Sequence, residues 1–287
     1  MVVFPNAKIN LGLSVTSRRP DGYHNLETLF YPVGWRDVLE IVPSADPLLK
    51  KGSCRFHSVG LDMECAADDN LVVKAYRLLN SRYPLPAVDI HLWKVIPFKA
   101  GLGGGSSDAA FALTLLNELA GLNRPLDELE ELAAQIGADC PFFIRNRPVM
   151  ARGIGNEFSP VDVSLKNYHI CIVKPQAEVS TKEAYGGIVP CEPACSVADI
   201  VTNHPVGEWR GVLKNDFETP VFKLYPEIEQ IKNDLYSHGA VYASMTGSGS
   251  AVFALFTGAV DLRNHFADCD VWAESNNIRR ARRDSGN

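Results

Sequence analysis

The chain has no C-x-x-C pair, no internal repeat and no low-complexity run, and its cysteines number seven. An odd count without paired spacing argues against a disulfide-stapled secreted scaffold and predicts reduced thiols. Cys191 and Cys195, with His204 nearby, match no strong zinc pattern and are read as incidental thiols. No charged stretch followed by an apolar core opens the sequence, so no leader peptide is predicted and a cytoplasmic location is expected. Excess positive charge is lacking too. With 28 basic residues against 34 acidic ones the formal charge is −6, so no global field gathers nucleic acid or an anionic membrane, and neither is an expected partner. Any anion must therefore be bound locally. One long run without charge, residues 239–260, would reach across a bilayer, but Gly247, Ser248, Gly249 and Ser250 divide it. Its flanks, 241–245 and 251–256, read as two strands around a loop.

With 46% apolar content in 287 residues, the chain can bury a substantial core as one large domain or two modest ones. Its most informative stretch is the loop 97–108, where Gly101, Gly103, Gly104 and Gly105 run into an apolar helical pattern that stops at Gly121. Glycines let backbone N–H groups approach an anion, and Ser106, Ser107 or Asp108 is expected to cap the helix, whose free N–H groups and dipole favour phosphate. A Walker A loop requires G-x-x-x-x-G-K-S/T, and no lysine follows these glycines; the dinucleotide fingerprint G-x-G-x-x-G meets Ser106 at its last position. A ligand-free turn between strand and helix is the plain alternative, and the loop's composition does not choose between them.

Residues 7–15 alternate strictly, with Lys8 and Asn10 sharing the polar face, which predicts a strand; a merely solvent-facing lysine would give the same pattern. The turn-rich stretch 18–25 ends with Tyr23 and His24 side by side, suited to stacking and hydrogen-bonding a planar ligand. Helical spacing marks 71–83, 126–136 and 227–236, and strands are predicted at 37–42, 88–94, 149–153 and 169–173. The uneven mixture predicts an α+β fold, divided into domains 1–155 and 156–287. Asp139 stands between Gly137 and Pro141, where it either satisfies turn N–H groups or accepts a proton in a partly dry cleft. The last dozen residues, with Arg279, Arg280, Arg282 and Arg283, read as a solvated tail.

In order and spacing, Pro5-Asn6-Ala7-Lys8-Ile9-Asn10-Leu11, the loop 97–108 and Thr246-Gly247-Ser248-Gly249-Ser250 resemble the three motifs of the GHMP kinase superfamily. Within it, Arg19-Pro20-Asp21-Gly22-Tyr23-His24 and Gly137-Ala138-Asp139-Cys140-Pro141-Phe142-Phe143 are similar to the branch acting on a cytidine diphosphate-linked methylerythritol. The likeness runs from about residue 2 to 273. It implies a ribosomal S5 domain 2-like N-terminal domain, a ferredoxin-like C-terminal domain and an active site in the cleft between them. It also implies ATP as phosphoryl donor, Mg2+ as counter-ion with no protein ligand to name, the substrate's 2-hydroxyl as acceptor, and a monomer or weak homodimer. By this resemblance Asp139 is the base and Lys8 its partner, while Asn10 contacts substrate. Tyr23 and Tyr185 would sandwich cytosine and His24 would read its edge, with Thr181 and Gly247 near the substrate's phosphates. Gly101, Gly103, Gly104, Gly105, Ser106 and Ser107 would hold the ATP phosphates, with Asn70 and Lys94 near adenine. A superfamily kinase for mevalonate, homoserine or a sugar is the alternative enzyme, against which the Asp21-Gly22-Tyr23-His24 loop argues. A silent nucleotide sensor would have no use for Lys8 and Asp139 together.

Overall fold

In the computed structural model, which describes residues 1–62 and 66–273, the chain begins with strands β1 (Val2–Val3), β2 (Asn6–Arg18), β3 (His24–Arg36), β4 (Val38–Pro43) and β5 (Cys54–Gly60). Helix α1 (Leu71–Arg82), strand β6 (Val88–Lys94) and helices α2 (Gly104–Leu119), α3 (Leu126–Ala134) and α4 (Cys140–Arg145) follow, then the hairpin β7 (Val149–Arg152) and β8 (Glu157–Pro160). The second half runs β9 (His169–Lys174), α5 (Thr181–Gly186), α6 (Val197–Asn203), α7 (Glu218–Leu224), α8 (Pro226–Ser237), β10 (Tyr242–Met245), β11 (Val252–Phe256) and β12 (Asp270–Ala273). The arginine-rich tail lies outside the described residues.

Among the described residues the strands form three four-stranded sheets, ordered β1-β4-β6-β5, β2-β3-β7-β8 and β10-β11-β9-β12. All pairings are antiparallel except β5 with β6. This is the α+β arrangement that the uneven mixture of periods predicted. Residues 239–260 hold β10, a turn and β11, and no helix among the described residues is long and apolar enough to cross a membrane. The division expected between residues 155 and 156 needs correction. That stretch is the turn of the β7–β8 hairpin, in register at Arg152 and Glu157, so the first half's sheet extends to Pro160. Glycine and asparagine broke the pattern there because they reverse the chain, not because a domain ends.

Side-chain alternation divides the interior into layers. Leu39, Ile41, Ile90 and Leu92 pack on Leu79, Leu113 and Phe142 of the helices. Ile9, Leu11 and Leu29 meet Ile170, Ile172, Phe253 and Leu255, joining the two halves. Cys171, Val173 and Ala254 turn the other way, onto Val221, Ile228 and Leu235 of α7 and α8. Every residue of β9 is thus buried, which explains its unbroken apolar run. The polar face of β2 is covered too: Lys8 N–H donates to Leu102 O at 2.9 Å, bringing the glycine loop over the strand. A register shift at Gly12, with φ of 71°, bends β2 so that Leu13 and Val15 enter the third layer.

Candidate active site

β6 leads into the glycine loop and α2 leads out. The helix N-cap is Gly103, with no capping side chain, so Ser106, Ser107 and Asp108 lie inside the helix and the expected side-chain cap is not formed. The first-turn N–H groups, lacking intrahelical acceptors, and the positive end of the dipole remain for an anion. Gly101 sits at φ 71°, and a Cβ there would lie 2.0 Å from Thr246 O. Only glycine permits this approach of the loop to the β10–β11 turn. A cavity of about 530 Å³ follows the loop, lined by Gly101, Gly103, Gly104, Gly105 and Ser106, with Thr181 and Ser248 opposite. Lys99 and Glu178 also line it and pair at 2.7 Å. Three sequence-predicted nucleotide residues lie outside its walls. Ser107 is fully buried, and its hydroxyl has no partner among the described residues. Asn70 caps α1, its Oδ1 accepting from Val72 N–H at 2.8 Å, beside the lining residue Leu71. Lys94 is buried and bonded to Asp37 and Asp108.

A second cavity, of about 200 Å³, shares Gly101, Thr181 and Ser248 with the first. Lys8, Asn10 and Asp139 meet in it. The buried Lys8 ammonium donates to Asn10 Oδ1 at 2.7 Å, lies 3.5 Å from Asp139 Oδ2 and sits 4.8 Å above the Phe30 ring. Asn10 is fixed in turn: its Nδ2 donates to Thr28 Oγ1 at 3.0 Å, and Thr246 Oγ1 lies 3.1 Å from its Oδ1. Asp139 is the N-cap residue of α4, yet its side chain makes no capping bond. Turn satisfaction therefore does not account for it, and a carboxylate one-third exposed is left facing the ammonium. Burial pushes the neighbouring Cys140 thiol up to about 11, so it stays neutral and is no competing nucleophile.

Aromatic residues close the second cavity's far side. Tyr185 lines it and stacks on His24, with ring centroids 4.8 Å apart and 22° between planes, while Phe217 meets Tyr185 edge-on at 4.7 Å. Neither His24 nor Tyr23 lines either cavity; His24 reaches the site through its stacking on Tyr185, whereas Tyr23 is 63% exposed. Gly247 lines the second cavity, its carbonyl held by Asn215 Nδ2 at 2.9 Å. Thr181 opens α5, whose Ser180 and Glu183 form a capping box. Sequence reasoning missed Thr28, Phe30 and Phe217. The first two lie on β3, where Pro32 and Gly34 interrupt the alternation that would have revealed a strand.

Comparison with known proteins gives concordant likenesses. Residues 70–147 match the family described as GHMP kinases N terminal domain, and residues 203–265 match GHMP kinases C terminal. A 4-diphosphocytidyl-2-C-methyl-D-erythritol kinase of Parabacteroides distasonis is 53% identical over 95% of this chain and 98% of its own. One of Bacteroides thetaiotaomicron is 56% identical over 89% and 92%. A crystal structure of 4-(cytidine 5'-diphospho)-2C-methyl-D-erythritol kinase superposes with a TM-score of 0.78 at 34% identity, covering 95% of this chain and 98% of that one. Homoserine kinase from Cytophaga hutchinsonii, at TM-score 0.66 and 20% identity over 96% and 93%, shares the fold.

Proposed function

The chain belongs to the GHMP kinases, within them to the 4-diphosphocytidyl-2-C-methyl-D-erythritol kinase family, and from that membership we propose that Lys8 and Asp139 carry transfer of the ATP γ-phosphoryl group to the substrate's 2-hydroxyl. The supporting observation is the 3.5 Å approach of Lys8 Nζ to Asp139 Oδ2, in a cavity that shares walls with the glycine-loop cavity. The acceptor hydroxyl attacks the γ-phosphorus as the bond to the bridging oxygen breaks and ADP leaves. Asp139 takes the hydroxyl proton, and the Lys8 ammonium stabilises charge on the transferring group. Lys8, bonded to Asn10, and Asn10, bonded to Thr28 and Thr246, are pre-oriented, so little rearrangement is needed on the way to the transition state.

Triphosphate lies along Gly101, Gly103, Gly104, Gly105 and Ser106 at the N-terminus of α2. The cytosine ring is held against Tyr185 and His24, with Thr181 and Gly247 at the substrate's phosphates. Tyr23, exposed on the loop next to His24, adjoins this stack in sequence. The oxygen donors lining the cavity, the hydroxyls of Ser106 and Thr181 and the Glu178 carboxylate that now pairs with Lys99, suit a hard divalent cation such as Mg2+, which would be held there with ATP and would supply neutralisation of phosphate charge. A coupled ADP-release assay with 4-diphosphocytidyl-2-C-methyl-D-erythritol, with phosphorus NMR of the product, tests the reading. A new phosphomonoester supports it, and ADP release with mevalonate or homoserine but not the cytidine substrate refutes it.

A further inference from the structure

Lys94 is the last residue of β6, directly before the glycine loop, and its side chain is 1% exposed. Its ammonium is shared by two buried carboxylates. One is Asp37, between β3 and β4, and the other is Asp108 Oδ2, at 3.0 Å, one turn inside α2. Asp37 Oδ1 also accepts the N–H groups of Val95 at 2.6 Å and Ile96 at 2.8 Å. One ammonium thus ties the strand leading into the loop to the helix leading out. A Cβ at Gly104 would lie 2.8 Å from Lys94 Nζ and 2.9 Å from Ile96, so the first helical residue rests on the ammonium itself.

We infer that Lys94, Asp37 and Asp108 form a buried clamp that sets the loop's backbone for the nucleotide phosphates, making Lys94 a positioning residue that never touches ATP. The inference rests on the phosphoryl-transfer reading above. The clamp's charge serves the same end. Asp37 is stabilised by two backbone donors, whereas Asp108 Oδ1 has no partner among the described residues, so Asp108 is where a proton is retained. Lys94 and Asp37 are the charged groups facing it; burial pushes the Asp108 carboxyl up to about 8, the ammonium opposes this, and Asp37 adds to it. With Asp108 protonated the triad is neutral. Once Asp108 ionises, a net negative charge lies beneath the phosphate site.

The test compares parent, Lys94→Met, Asp108→Asn and the double variant, all as full chains, by KM for ATP and for the cytidine substrate and by calorimetric titration with ADP. Lys94→Met should raise KM for ATP and Kd for ADP about tenfold or more and leave KM for the cytidine substrate within about twofold. Asp108→Asn, which keeps an oxygen for Lys94 and adds no charge, should match the parent near pH 7 and lose the parent's weakening of ADP affinity between about pH 7 and 9. Lys94→Met leaves Asp37 and Asp108 facing each other without their shared cation and can unfold the chain; the double variant also replaces one of the two acids by an amide, and the same split is expected of it. Unchanged ADP affinity in a folded variant, or equal rises in both KM values, overturns the clamp. Absent phosphoryl transfer by the parent, with these ADP affinities as expected, would overturn the reaction and not the clamp.

Discussion

Replacing Asp139 by Asn removes the proton acceptor while keeping the side chain's size and one oxygen for the Lys8 ammonium. A positioned base contributes about 10²–10⁴-fold to a rate. At about 1.36 kcal/mol per tenfold, kcat should fall by the equivalent of about 2.7–5.5 kcal/mol. Stability should hardly move. The carboxylate is 33% exposed, so solvent screens its pairing with Lys8, worth at most about 1 kcal/mol, and the asparagine retains part of that. A thermal midpoint within about 4 °C of the parent is therefore expected. KM for ATP should stay within about twofold, since Asp139 lines the second cavity and not the nucleotide cavity. The assay is initial-rate ADP release at saturating ATP and substrate, alongside thermal denaturation of the same preparation. A folded variant with kcat within about fivefold of the parent would remove Asp139 from the chemistry.

Gly101→Ala would put a Cβ 2.0 Å from Thr246 O at φ 71°, so thermal denaturation should show a loss of about 2 kcal/mol or more, and a midpoint equal to the parent's would refute the close packing of loop and turn. Tyr185→Ala should raise KM for the cytidine substrate by the equivalent of about 1–3 kcal/mol, the range for a base stacked on an aromatic ring, and leave KM for ATP unchanged; steady-state kinetics in each substrate decide it. Asp108 carries the pH dependence of stability. Because its folded value, about 8, lies above the ordinary carboxylate value of 3.8, its stabilising contribution is full below the lower value and is lost as pH rises through the higher. The midpoint of the parent minus that of Asp108→Asn should therefore shrink as pH climbs over that window; a difference constant with pH contradicts the raised value.

Much of the fold was legible where an element is long and periodic. The predicted helices at 71–83, 126–136 and 227–236 correspond to α1, α3 and α8, and the predicted strand 88–94 is β6. Elements of six or seven residues, α4, α5, α6 and α7, span about two turns and leave too little periodicity to read. β3 escaped because Pro32 and Gly34 fall within it. At the site, local sequence located the glycine loop but misjudged its cap: Gly103 takes that position by its φ of 70°, and the serines beyond it are already helical. It also could not tell that Lys8 is buried, because both faces of β2 are covered by segments distant in the chain.

Local chemistry alone determined that a glycine-rich turn opens a helix with free N–H groups, and that Lys8 and Asn10 share one strand face, since both follow from backbone geometry over a few residues. Tertiary structure decided which polar groups meet. Asn10 and Thr246, 236 residues apart, hydrogen-bond at 3.1 Å; Asp139 turns its carboxylate to Lys8; and Lys94, read as a nucleotide contact, is taken by Asp37 and Asp108. A buried charge must find a partner wherever packing supplies one, and that choice depends on how three sheets and their helices stack, which no local pattern records.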